Sequence, residues 1–115
     1  MNGADYVSLH IPSVPETRHF LSRERLGLLG VACWIVNTAR GALVDELALF
    51  DTLASGRLAG AALDVFEREP LPDNSPLTTA PNLILTPHIG GVTRQSNTRV
   101  STMIAAKVAN FLQAT

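Results

Sequence analysis

The sequence predicts an α/β fold, a parallel sheet of about four strands with flanking helices. Three observations carry it. Short apolar or β-branched runs end at Pro or a polar turn, stretches with helical spacing alternate with them, and most of those stretches follow a Ser, Asp or Thr able to cap a helix.

Asp5 to Ile11 mixes alternation with β-branched residues and stops at Pro12, which cannot donate to a sheet ladder, so it reads as the first strand. Ser22 can cap a short helix running to about Leu29, with Leu26 and Leu29 inward and Gly30 as its stop. Trp34 to Thr38 is nearly continuous in apolar character and reads as a strand buried on both faces. Asp45 can cap a helix whose Leu47, Phe50, Leu53 and Ala54 recur at helical spacing until Gly56. Gly60 to Val65 is the third strand. A turn-rich stretch with Pro70, Pro72, Asp73, Asn74 and Pro76 leads to a fourth, Leu83 to Thr86, ended by Pro87. Thr93 can cap a last helix whose Val100, Met103, Ile104, Val108, Phe111 and Leu112 form one stripe, the pattern of a helix lying against a sheet. Alternation of strand and helix calls for right-handed crossovers between parallel strands.

At 115 residues the chain fits one domain. Hydrophobic residues make up 46% and charged ones 17%, too apolar a balance for intrinsic disorder. A net charge of −1 with scattered Arg argues against nucleic acid as a partner. No apolar run approaches the length of a membrane span, and the start of the chain lacks a basic segment leading into one, so no membrane role is expected. The single cysteine, Cys33, excludes an intrachain disulfide and a cysteine metal cluster, and suits a reducing cytoplasm.

In open parallel sheets ligands bind beyond the carboxyl ends of the strands. There the chain carries NTARG (Asn37 to Gly41) after the second strand, DVFEREP (Asp64 to Pro70) after the third and TPHIGG (Thr86 to Gly91) after the fourth. One Arg, one Glu and one His thus reach the same sheet edge on three segments. Each alone has a bland alternative: Arg40 a solvated charge, Glu69 part of a charged turn, His88 a structural histidine, and Gly90-Gly91 a plain turn.

Together these motifs, with ADYVSLHIP, PETRHFL and LASGRLAGAALDVFEREPLP, resemble the D-isomer-specific 2-hydroxyacid dehydrogenases, of the phosphoglycerate and glyoxylate/hydroxypyruvate reductase type, over roughly residues 4 to 112. The resemblance implies part of a Rossmann-like, doubly wound sheet and an NAD(P)-dependent oxidoreductase acting on the CH–OH group of a small 2-hydroxy acid. It implies Arg40 holding the substrate carboxylate and neighbouring oxygen, His88 as acid/base and Glu69 orienting the imidazole. Cofactor contacts carried over in the same way fall on Thr38, Ala39, Arg40, Asp64 (accepting from the nicotinamide carboxamide), His88, Gly90 and Gly91, and more weakly on Ile11 and Pro12. NAD and NADP are both open, and no metal is implied. The spacing DVFxxEP selects Glu69 over Glu67, which reads as surface; His10, His19 and Cys33 receive no role.

No G-x-G-x-x-G phosphate loop occurs. In the family that loop lies upstream and a substrate domain is built from both chain ends, so residues 1–115 are expected to be the C-terminal portion of the NAD(P)-binding domain without either, binding NAD weakly by themselves. An uncovered first strand is expected to promote self-association, as a homodimer or larger, through its edge. The alternative is a non-catalytic NAD-binding remnant or interaction module.

Overall fold

The computed structural model describes residues 3–114. Four parallel strands form one sheet in sequence order: β1 (Tyr6–Leu9), β2 (Trp34–Asn37), β3 (Gly60–Leu63) and β4 (Leu83–Leu85). The expected α/β class and the position of every strand hold. The register aligns Leu9 with Asn37, Asn37 with Leu63, and Leu63 with Leu85, so the four strands end level and their following loops share one edge.

Helices α1 (Arg23–Leu26) and α2 (Glu46–Ala54) begin where the sequence offers caps. Ser22 Oγ accepts from the Arg25 N–H at 3.4 Å and Asp45 Oδ1 from the Ala48 N–H at 2.9 Å. Gly56, at φ +68°, takes the left-handed turn that follows α2. α1 is shorter than expected, capped at Gly27 rather than running on to Leu29, yet Leu26 and Leu29 are both buried. The buried positions of α2 are Ala48, Leu49, Thr52 and Leu53; Leu47 and Ala54, expected inward, are exposed. The hydroxyl of Thr52 reaches the buried face by donating to the Ala48 carbonyl at 2.7 Å.

The core lies on one face of the sheet, where Leu9, Ile35, Ala61 and Leu63 meet Leu26, Leu29, Ala48, Leu49 and Leu53. The alternate positions face the other way. Tyr6 is 73% exposed and Ile84 58%, while Trp34 and Val36 are half-buried. The expectation that β2 is buried on both faces is therefore corrected: Ile35 and Asn37 are enclosed, and Trp34 finds cover by lying across Gly60 on β3, where a Cβ would meet the indole ring at 2.4 Å.

Helix α3 (Arg94–Gln113) starts at Thr93, whose hydroxyl accepts from the Ser96 N–H at 3.0 Å. It does not lie against the sheet as its stripe suggests. No residue of α3 is buried, and Val100, Met103, Ile104, Val108, Phe111 and Leu112 all remain exposed. The sheet face on the α1–α2 side is already filled by the core. No described helix is long and apolar enough to cross a membrane.

Candidate active site

The loop after β2 is shaped by Asn37, a fully buried residue that closes the strand. Its side-chain oxygen accepts from the Ala39 N–H at 3.1 Å and its amide donates to the Arg40 carbonyl at 2.9 Å, folding Thr38 to Arg40 into a turn. This presents Arg40 at the surface, with Nη1 donating to the Ala39 carbonyl at 2.6 Å and no ion pair among the described residues. Ile11, Pro12, Ala39 and Arg40 line one shallow cavity of about 620 Å³ together with His10 and Ser13. Four of the sequence-predicted residues are thereby neighbours.

The loop after β3 begins with Asp64, only 5% exposed. Its carboxylate holds the loop after β4: Oδ1 accepts from the Thr86 hydroxyl at 2.5 Å and the Ile89 N–H at 2.9 Å, and Oδ2 from the Gly90 N–H at 2.8 Å. These donors, the Thr86 hydroxyl foremost, keep Asp64 below the ordinary carboxylate range despite its burial. The three bonds straddle His88, which sits at φ +56°, a left-handed conformation costing a non-glycine residue about 1–2 kcal/mol. Asp64 thus fixes the turn that aims the histidine.

Glu69 and His88 are in direct contact. Glu69 Oε2 lies 2.7 Å from His88 Nδ1, while Oε1 accepts from the Phe66 N–H at 3.1 Å. The His88 ring, followed by the Phe66 N–H, lowers the Glu69 carboxyl from its ordinary value. An ionised Glu69 can only accept, so Nδ1 carries the proton, and Nε2 is left with no protein partner among the described residues. In the neutral ring Nε2 is a base; in the cation it is an acid. Phe66, Pro70, Leu71, Leu85, Thr86 and Pro87 surround this pair in a largely apolar cavity.

The Arg40 loop and the Glu69 loop meet at Gly41, where a Cβ would stand 1.9 Å from the Phe66 carbonyl carbon. At Gly90 a Cβ would come within 2.9 Å of Asp64 Oδ2 and 3.8 Å of the Thr38 side chain, so glycine lets the main chain approach the carboxylate this closely. Gly91 has nothing within 4 Å of its Cβ direction. Arg40 has no bonded contact with Glu69 or His88; it shares only their edge of the sheet.

Sequence reading missed Asn37, Gly41 and Thr86. For Asn37 the signal was present, a turn-forming polar residue ending an apolar strand. Gly41 and Thr86 are intelligible only through partners 25 and 22 positions away in the chain, Phe66 and Asp64.

Comparison with known proteins adds the family. Residues 1–90 match the D-isomer specific 2-hydroxyacid dehydrogenase, NAD binding domain. D-3-phosphoglycerate dehydrogenase of Methanocaldococcus jannaschii is 44% identical over 110 residues, covering 96% of this chain and 21% of its own length. The structure of a D-isomer specific 2-hydroxyacid dehydrogenase from Xanthobacter autotrophicus Py2 in complex with NADPH and MES is 45% identical, with a TM-score of 0.74, covering 79% of this chain and 30% of that one. D-lactate dehydrogenase from Aquifex aeolicus, complexed with NAD and lactic acid, is 32% identical with a TM-score of 0.83, covering 96% and 38%. The chain therefore spans between about a fifth and two fifths of the length of these relatives. On the family match and the parallel α/β sheet together, the chain belongs to the D-isomer specific 2-hydroxyacid dehydrogenase family and falls within its NAD-binding domain.

Proposed function

We propose that these residues form the nicotinamide-facing half of an NAD(P)-dependent 2-hydroxyacid dehydrogenase site, with Arg40 as carboxylate anchor, His88 as acid/base and Glu69 as its orienting partner. The observation that supports it most is the Glu69–His88 pair at 2.7 Å, which leaves Nε2 as the one ring nitrogen able to exchange a proton.

The nicotinamide, when bound, supplies or takes the hydride. Thr38, Ala39, Asp64 and the backbone from His88 to Gly91 would hold it, with Ile11 and Pro12 bordering its adenosine side. In the reducing direction, protonated His88 hands the Nε2 proton to the C2 oxygen of a 2-keto acid; in oxidation neutral Nε2 takes it back from the hydroxyl. Acid/base assistance of this kind contributes about 10²- to 10⁴-fold. Arg40 offers the substrate carboxylate and keto oxygen a planar pair of N–H donors while remaining charged. Its guanidinium is exposed and, among the described residues, committed to one internal bond, which leaves donors for an incoming anion.

The reading extends to a small 2-hydroxy or 2-keto acid as substrate, NAD or NADP as cofactor, and a cytoplasmic setting, with which the unpaired and buried Cys33 accords. The phosphate loop and the residues that select among substrates fall, in this reading, outside residues 1–115.

Titration of NADH into the chain, followed by fluorescence, tests it, with Asp64→Ala as control and hydroxypyruvate reduction assayed in the same samples. Saturable binding that the variant loses, with any turnover, is the expected result. Saturable binding that Asp64→Ala and Arg40→Ala both leave intact would overturn the assignment of these residues.

A further inference from the structure

We propose that Glu67, clamped by His19, Arg18 and Glu46, is a positioning residue that sets Glu69 against His88. The proposal rests on the reading of Glu69 and His88 as an acid/base pair.

Glu67 stands in the loop between β3 and β4, and its side chain is 29% exposed. It is nonetheless held at three points by two other parts of the chain. Its N–H donates to Glu46 Oε1 at 2.7 Å, at the first turn of α2. Its Oε1 lies 2.5 Å from His19 Nε2, and its Oε2 accepts from Arg18 Nη2 at 3.2 Å. On one side of it, Phe66 is buried and gives its N–H to Glu69 Oε1; two residues on, Glu69 Oε2 meets His88. Fixing Glu67 therefore fixes the bend by which Glu69 folds back over its own loop.

The clamp is anchored in the core. The segment carrying Arg18 and His19 is stitched to the chain before α2: the His19 N–H donates to the Ala42 carbonyl at 2.8 Å, the Leu21 N–H to the Leu43 carbonyl at 2.9 Å, and the Asp45 N–H to the Leu21 carbonyl at 3.2 Å. Leu21, Leu43 and Val44 are buried. His19 reaches Glu67 from φ +49°, a conformation that residues with a Cβ seldom adopt.

Exposed ion pairs of this kind add little to global stability. Nor does the cluster answer to a metal, since no group of three His, Cys, Asp or Glu among the described residues could hold one. What three contacts on one exposed residue do accomplish is to define the position of the loop on which Glu69 is mounted.

Nitrogen-15 spectra of the histidine rings in the full chain test this, because they report which ring nitrogen carries the proton. Wild type is expected to show neutral His88 protonated on Nδ1, and Glu69→Gln to lose that preference. Glu67→Ala should reproduce the loss at His88 while the backbone spectrum of the sheet is preserved, and Glu67→Gln, which keeps an acceptor for Arg18, should restore part of it. His19→Ala, a change at a partly exposed side chain, reads the same effect if Glu67→Ala does not fold. A wild-type His88 signature in Glu67→Ala, or in His19→Ala where that variant must serve, overturns the positioning role. An unchanged signature in Glu69→Gln overturns the pairing beneath it, and with it the acid/base reading.

Discussion

Gly41 lies so close to Phe66 that a Cβ on it would stand 1.9 Å from the Phe66 carbonyl carbon and 2.0 Å from its oxygen. Through this contact the loop bearing Arg40 and the loop bearing Glu69 are packed backbone to backbone. Gly41→Ala must push them apart. Overpacking of this kind costs about 1–3 kcal/mol, and because both obstructing atoms are main chain the effect should fall at the upper end. A lower midpoint in urea unfolding is expected; an unchanged midpoint contradicts the contact.

The two neighbouring glycines of TPHIGG should behave differently. A methyl at Gly90 meets Asp64 Oδ2 at 2.9 Å, so Gly90→Ala should disturb the bonds that hold the His88 turn and cost about 1 kcal/mol or more. Gly91→Ala meets nothing and should stay within about 0.5 kcal/mol of wild type. Parallel thermal melts of the two variants decide it, and equal effects would contradict the difference.

Acid should weaken the His88 turn. Asp64 and Glu69 are both held below their ordinary values, Asp64 chiefly by the Thr86 hydroxyl and Glu69 chiefly by His88. A depressed carboxyl contributes stability that is fully present above its unfolded value, about 3.9 for Asp and 4.3 for Glu, and that is lost as pH falls through the folded value. Glu46 acts with the opposite sign, raised chiefly by burial. The stability gap between wild type and Asp64→Asn should therefore be widest near neutrality and narrow below about pH 4. Urea midpoints across that range measure it; a gap that widens in acid would refute the role of the ionised carboxylate.

β1 forms one edge of the sheet, and Tyr6 is among its most exposed residues. An unpaired strand edge is a template for another chain. Self-association through β1 is expected in solution, reduced by Tyr6→Pro, which removes a backbone donor on the side of the strand turned away from β2. Light scattering that reports a monomer for wild type at high concentration would contradict it.

The strands were legible because each apolar run is bounded by Pro, Gly or a polar turn, and the caps Ser22, Asp45 and Thr93 all act as their residue types suggest. Burial was less legible. The continuous run Trp34-Ile35-Val36 gives no sign that only one face is covered, and α2 offers Leu47 and Ala48 as rival starts to its inner stripe, with packing deciding for Ala48. The stripe on α3 correctly marks an apolar surface, but periodicity says nothing about what meets it. At the site, the motifs placed Glu69 and His88 on separate loops, and the structure brings them into contact. The contact between Glu67 and His19 spans 48 positions in sequence and exists only after folding, so nothing local to either residue announces it.

The central claim is that nicotinamide and a 2-keto acid meet on the loops that follow the strands. Backbone amide shifts of the chain, followed during titration with NADH and then oxamate as a keto-acid mimic, test it most directly. Changes are expected to concentrate on Thr38 to Arg40, Asp64 and His88 to Gly91, with oxamate adding shifts at Arg40 and the His88 ring. Saturable changes centred elsewhere, with these residues unmoved, would contradict the account.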